Sequence, residues 1–207
     1  MTVDYPIIRW SKLAKESRCN DMRYHNITKD DMLNGDGLRV VLWVSGCEHC
    51  CKDCQNPITW DPDGGLLFDE QAKQEIYAQL DKDYISGITF SGGDPLHPAN
   101  AKEVKEFAQL IREKYPNKTI WLYSGSSWEE VYKDPAMSFF DVMVDGEFVK
   151  ELADSKLMWK GSSNQKVIDI QATLASDTPS IPILHCQDYS SHSKEYVKSG
   201  GCCGCGD

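Results

Sequence analysis

Four times along this chain a short run of apolar, largely β-branched or aromatic residues stops at a polar segment that contains glycine. Leu38–Val44 runs into Ser45-Gly46-Cys47, and Ile85–Phe90 into Ser91-Gly92-Gly93-Asp94-Pro95. Thr119–Tyr123 runs into Ser124-Gly125, and Phe140–Val144 into Asp145-Gly146. Apolar runs of this kind suit strands buried on both faces. Helical periodicity fills the intervals. Ala72, Ile76 and Leu80 recur four apart within Asp69–Leu80. Val104, Phe107, Ala108, Ile111 and Tyr115 form one stripe of a stronger helix over Ala99–Tyr115, with Pro98 suited to its first turn and Pro116-Asn117 to end it. A short helix is expected between Ser127 and Lys133, a turn at Asn34-Gly35-Asp36-Gly37, and a last strand over Ile181–Leu184.

Strands joined by connections too long for hairpins pair in parallel, with helices as right-handed crossovers. All four polar segments then fall at the carboxyl ends of strands, the edge where parallel α/β folds bind ligands. A complete eight-unit barrel takes about 250 residues, and the chain has 207. The expected fold is therefore α/β, a partial (open) β/α barrel with a mostly parallel sheet. Residues 1–21 read as an N-terminal extension, 22–185 as one domain, and 186–207 as a Cys- and Gly-rich tail with the composition of a flexible end.

Charge narrows the partners. Acidic side chains number 32 against 22 basic ones, a net charge of −10. That argues against a sequence-independent grip on nucleic acid, which needs Lys and Arg to neutralise phosphates. It leaves room for a small anion held by backbone N–H groups. No window reaches the roughly 20 apolar residues of a membrane span. Met1–Trp10 lacks the apolar core of a secretory signal, so no membrane is expected as a partner and the cytoplasm is the expected compartment. There, nine cysteines point to metal or redox chemistry more than to structural disulfides. Cys19 and Cys186 stand alone; the others gather between Cys47 and Cys54 and between Cys202 and Cys205.

The first cluster reads Cys47-Glu48-His49-Cys50-Cys51-Lys52-Asp53-Cys54. Two pairs with zinc-knuckle spacing hide in it, Cys47 with Cys50 and Cys51 with Cys54. A structural zinc would want those pairs on separate turns, and eight residues leave little room. A thioredoxin-like dithiol should open a helix, and Pro57 and Pro62 follow too closely. Cys47, Cys51 and Cys54 instead give a three-then-two spacing, in which a short loop can wrap three corners of one cuboidal 4Fe–4S cluster. The fourth iron stays open to a small ligand, unlike an electron-transfer cluster with four cysteines. Cys50 is then the spare thiol.

With these residues assembled, the chain resembles a known family. Val44-Ser45-Gly46-Cys47, the cysteine spacing, Asn56, Trp60, Ser91-Gly92-Gly93-Asp94-Pro95-Leu96-His97, Val144-Asp145-Gly146 and Gly161-Ser162-Ser163-Asn164-Gln165 look like those of the activating proteins of anaerobic (class III) ribonucleotide reductase. These are radical S-adenosylmethionine enzymes, and the resemblance runs from about Met22 to Gln171. It departs at Asp53, where the superfamily often has an aromatic residue, and at Gln55, where activases often have Tyr.

The resemblance implies that the open iron is chelated by the amino and carboxylate groups of S-adenosylmethionine, that one electron cleaves it to methionine and a 5′-deoxyadenosyl radical, and that the radical takes hydrogen from a glycine of the reductase large subunit. The metal ligands would be Cys47, Cys51 and Cys54. Asp53, Cys54, Gln55, Gly92, Gly93, Asp94 and Ser124 would line the cofactor, with Asp94 accepting from its ammonium group. On its own, Ser91–Asp94 reads more readily as a glycine turn with a helix-capping Asp; the cysteine loop and the resemblance reverse that preference. Gly161–Gln165 would close the site. His49, His97 and His185 receive no catalytic role, because the radical chemistry needs no general base. A low-potential electron donor is required, and the activase could itself pair as a homodimer. The rivals are an activase of another glycyl-radical enzyme such as pyruvate formate-lyase, a radical enzyme acting on a small molecule, and a non-catalytic zinc or iron–sulfur module. Cys202, Cys203 and Cys205 are readable as incidental thiols, a mobile thiol relay, or, with Cys186, a second metal site.

Overall fold

The computed structural model describes residues 21–185; the tail thiols and nearly all of the N-terminal extension lie outside the described residues. Seven strands and four α-helices follow in the order β1 (Arg23–Asp31), β2 (Leu38–Val44), β3 (Leu66–Leu67), α1 (Glu70–Leu80), β4 (Ile85–Gly92), α2 (Ala101–Lys114), β5 (Thr119–Tyr123), α3 (Trp128–Val131), β6 (Val142–Asp145), β7 (Lys166–Asp169) and α4 (Ile170–Leu174). The strands form one sheet ordered β3-β1-β2-β4-β5-β6-β7. Its centre, β2-β4-β5-β6, is parallel, as the α/β pattern demands. Both flanks are antiparallel, β1 on β2 and β7 on β6. The sheet does not close, so the open α/β architecture is present.

The four central strands succeed one another across the sheet without reversal, so their crossover helices fall on one face. The side chains divide with the two-residue period of a strand. Val40, Leu42, Val44, Ile88, Phe90, Ile120, Leu122 and Met143 pack with the apolar stripes of α1 and α2 in the main core. Trp121, Val142, Val144 and Val167 form a smaller cluster on the opposite, inner face with Tyr123 and Trp159. Helix starts obey local chemistry. The Asp69 carboxylate accepts from the Ala72 N–H at 3.0 Å, and Ser127 and Glu130 make a reciprocal capping box at α3.

Arg39 seals the amino-terminal end of the inner face. It is fully buried on β2, and its guanidinium donates to Thr89 Oγ1 (2.9 Å) and the Ile88 carbonyl (2.7 Å) on β4, and to Thr119 Oγ1 (2.8 Å) and the Thr119 carbonyl (2.9 Å) on β5. A further bond reaches the Asp36 carbonyl at 2.9 Å, and the Trp121 ring lies 5.3 Å away. Burial lowers its pKa to about 10, which leaves it a cation at neutral pH.

Two expectations change. The stretch Ile181–Leu184 makes a single bridge, Leu184 to Ile168, rather than a strand. Pro182 has no N–H to offer a ladder, and only the Ile183 carbonyl and the His185 N–H reach β7. Conversely, β1 occupies residues that show no clear strand pattern, because of its nine side chains only Ile27 is buried.

Replacing Arg39 with Met should destabilise the fold by roughly 2–4 kcal/mol, because buried hydroxyl and carbonyl acceptors on two strands lose their donor. Urea unfolding of the full chain measures this as a fall in midpoint with an unchanged slope.

Candidate functional site

The parallel register of β2 and β4 places Trp43 opposite Ser91 and Val44 opposite Gly92. The cysteine loop and the Gly-Gly-Asp turn therefore leave the sheet side by side. Their backbones are then stapled: the Gly93 N–H donates to the Val44 carbonyl (2.8 Å) and the Asp94 N–H to the Gly46 carbonyl (2.7 Å). Gly93 is required here by contact. A Cβ on it would meet the Gly46 carbonyl oxygen at 2.4 Å and that of Thr59 at 2.8 Å. Gly92 adds a positive φ of 107°. The far end of the cysteine loop is held by a one-turn 3-10 helix, Pro57–Thr59. The Thr59 and Trp60 carbonyls accept from the Gly46 and Cys47 N–H groups.

A cavity of about 1180 Å³ opens on the inner face. Cys47, Cys51 and Cys54 line it at the carboxyl edge of the sheet, with Ser91, Gly92, Gly93 and Ser124; Asn34–Gly37 and Trp159 line it at the amino edge. Cys50 does not line it. That residue is exposed, with a positive φ of 50°. Burial pushes the Cys47 thiol up to about 11 and raises Cys51 as well. Cys54 Sγ accepts the Asn56 N–H at 3.4 Å, and the backbone at His49 and at Phe148 acts against burial to lower the Cys47 and Cys51 pKa values. Among the described residues no three His, Cys, Asp or Glu side chains converge as a single metal ion requires. Three thiols of one short loop lining a cavity fit a larger inorganic cluster. The Trp60 Nε1 and Tyr123 hydroxyl are buried on the cavity wall with no partner among the described residues, so the wall also offers donors to a polar ligand.

Asp53 and Gln55 are exposed at the rim of the cavity, Asp53 with its carboxylate 3.7 Å from the Lys150 ammonium. Ser124 is buried and donates to Asp94 Oδ1 at 2.8 Å. Asp94 itself is only 3 % exposed and lies behind the cavity wall. Oδ1 also accepts the Leu96 N–H at 2.8 Å, and Oδ2 pairs with His49 Nε2 at 2.6 Å. Gly161 and Gln165 line the cavity, and Gln165 Nε2 ties that segment to the Gly146 carbonyl at 2.8 Å.

Two participants were not legible as such. Asn100 precedes α2 like an N-cap, yet its amide makes no cap bond. It is buried and donates to the Ser45 (2.7 Å) and Asp94 (2.9 Å) carbonyls, one on each loop. His49 joins the Asp94 and Glu147 carboxylates at 2.6 and 3.0 Å. Burial acts to lower its pKa, but these two hydrogen bonds outweigh that and raise it.

The comparisons with known proteins agree with this geometry. Residues 33–168, more than half of the chain, match the family described as 4Fe-4S single cluster domain, which sets the class of protein. The chain is 40% identical over 146 residues to the anaerobic ribonucleoside-triphosphate reductase-activating protein of Enterobacteria phage T4, covering 70% of this chain and 93% of that protein. The proteins of the same name from Haemophilus influenzae and Escherichia coli are each 40% identical over 70% of this chain and 96% and 97% of their own length. The chain belongs to the family of anaerobic ribonucleoside-triphosphate reductase-activating proteins.

Gly93→Ala should push the cysteine loop off the glycine turn, since backbone oxygens on both sides cannot yield as a side chain would. The expected result is a lower urea unfolding midpoint, with iron bound per chain after anaerobic reconstitution largely retained because the three thiols stay together on one loop.

Proposed function

We propose that this chain activates an anaerobic ribonucleotide reductase by radical S-adenosylmethionine chemistry. One observation carries the reading most. Cys47, Cys51 and Cys54 line the cavity and Cys50 does not, the division that a three-cysteine cluster with an open iron requires. These three thiolates would hold a 4Fe–4S cluster. When bound, that cluster supplies the electron that cleaves S-adenosylmethionine to methionine and a 5′-deoxyadenosyl radical, the species that would take a hydrogen atom from a glycine of the reductase.

The remaining work belongs to the chain. Ser91, Gly92, Gly93 and Ser124 present backbone and hydroxyl groups at the cluster end of the cavity, where the methionine portion of the cofactor would lie. Asp94 provides a buried negative charge directly behind them, complementary to an ammonium group. Asp53, Cys54 and Gln55 would flank the cofactor along the cysteine loop. The cavity continues past Tyr123 to Asn34–Gly37, which leaves room beyond the cofactor for a glycine-bearing loop of the reductase large subunit. Gly161–Gln165 walls off the side next to Gly146 and would limit water around a reactive species. No helix among the described residues is long and apolar enough to cross a membrane. We place the protein in the cytoplasm, with a low-potential electron donor as second partner and a homodimer as a possible assembly.

The direct test is anaerobic incubation with the reductase, S-adenosylmethionine and a reductant, followed by electron paramagnetic resonance. A glycyl-radical signal on the reductase is expected. A signal on pyruvate formate-lyase alone would reassign the partner, and one zinc per chain with no brown absorbance would reject cluster chemistry altogether. Ala in place of Cys47, Cys51 or Cys54 should abolish the reducible cluster signal, whereas Cys50→Ala retains it. Asp94→Asn should keep the iron and weaken S-adenosylmethionine binding about tenfold, the scale of a charge-assisted contact, by anaerobic equilibrium dialysis. Ending the chain at Lys198, which removes Cys202, Cys203 and Cys205, is expected to leave iron content and glycyl-radical yield unchanged.

A further inference from the structure

The ring of His49 sits where four strand-end loops meet. His49 belongs to the loop after β2. Its Nε2 meets Asp94 Oδ2 after β4 at 2.6 Å, and its Nδ1 meets Glu147 Oε1 after β6 at 3.0 Å. Its face lies over Gly125 after β5, where a Cβ would come within 2.4 Å of the ring. From these contacts we propose that His49 is a positioning residue: it locks the cysteine loop in register with the Gly92–Asp94 turn, so that a cluster on the loop faces the cofactor correctly. The inference rests on the cofactor reading above.

Binding iron and aiming it are separable tasks in this chain. The three thiols lie within one short loop, so a cluster can form from local residues alone. The methionine end of the cofactor is placed by a different loop, the one after β4. Gly46 is bonded to that turn through the backbone, but from Cys47 to Cys54 a side-chain tie is needed. His49 lies two residues from both Cys47 and Cys51, so fixing its ring fixes the stretch that carries two of the three sulfurs. An imidazole suits the task because its nitrogens point to opposite sides and reach both carboxylates at once. On the acceptor side, Asp94 is held by the Ser124 hydroxyl and the Leu96 N–H, so the anchor does not swing. Displacement of reacting groups by even about 1 Å can cost a hundredfold in rate.

The experiment uses the full chain, reconstituted with iron and sulfide without oxygen, as wild type, His49→Ala, His49→Gln and Gly125→Ala. Iron per chain, S-adenosylmethionine affinity, and the change in the reduced-cluster resonance on adding S-adenosylmethionine are measured together. His49→Ala should keep wild-type iron, bind S-adenosylmethionine about tenfold more weakly, and lose most of the spectral change. His49→Gln, whose amide can still donate to Asp94, should recover most of both. Gly125→Ala, which crowds the ring, should resemble His49→Ala. Equal affinity and spectral change in His49→Ala and wild type would overturn the proposal. So would tighter binding, which would make His49 a stand-in for the ligand's ammonium, or parallel loss of iron and affinity in both His49 variants, which would make it a part of the fold alone. A wild type whose cluster resonance ignores S-adenosylmethionine would reject the cofactor reading itself, and the proposal with it.

Discussion

The parallel pairing of β2 with β4 runs to the last residue of each, Val44 beside Gly92, and the site hangs on that fact. Two loops that leave adjacent strands at the same level must either diverge or pack backbone against backbone. Here they pack. Gly93 has no Cβ to keep the Gly46 carbonyl away, so the cysteine loop lies directly on the glycine turn. Asn100 then reinforces the contact from the helix side by donating to a carbonyl on each loop. With the main core on the other face of the sheet, the inner face is free to form a cavity against the 146–165 segment.

Much of this was legible because it is local. The bounds of β2 and β5 coincide with their apolar runs, and α1 and α2 fall within a residue or two of their stripes. The four glycine-containing segments stand at the carboxyl ends of β2, β4, β5 and β6, as right-handed strand–helix alternation requires. What escaped detection either lacked a local apolar signature or was held by partners far away in sequence. The polar strand β1 pairs through its backbone and buries only Ile27, so it lacks an apolar signature. Lys166–Asp169 is four residues long and antiparallel, outside the crossover logic. In the site, Asn100 fell inside the span expected as helix, with nothing local to mark its two long-range bonds, and His49 was given no role because the radical chemistry needs no general base. Its partners Asp94 and Glu147 are 45 and 98 residues away.

At three of the four strand-end loops glycine has a different use, and in each of these the contact involves the cysteine loop. Gly46 lets the His97 ring approach, with a Cβ there reaching its Nδ1 at 3.0 Å. Gly93 lets the Gly46 carbonyl approach, and Gly125 the His49 ring. A glycine at the end of a strand is commonly read as a turn former or as an opening for a ligand. In this fold several such glycines first make room for protein, and the ligand surface follows from how that protein settles. This explains why one turn could be read either as a capped helix entry or as a cofactor cradle. The Leu96 N–H on Asp94 Oδ1 makes an Asx turn rather than a cap on α2, whose N-cap is Asn100, while the opposite oxygen reaches across to the cysteine loop.

The thiols that would carry a cluster are therefore set apart from the groups that aim it. Three cysteines within eight residues would make iron capture a property of one loop, dependent on spacing and little else. Alignment of that loop depends on backbone contacts to β4, on Asn100, and on the His49 bridge to two carboxylates, all non-local. A chain could keep the first and lose the second, becoming an iron–sulfur protein with no competence to activate anything. A family match to a 4Fe–4S domain attests the first task. On the proposal made above, the second would rest on the 2.6 Å contact between His49 and Asp94 and the glycine-to-carbonyl contact beneath it, and it is there that this fold would depart from a simple cluster carrier.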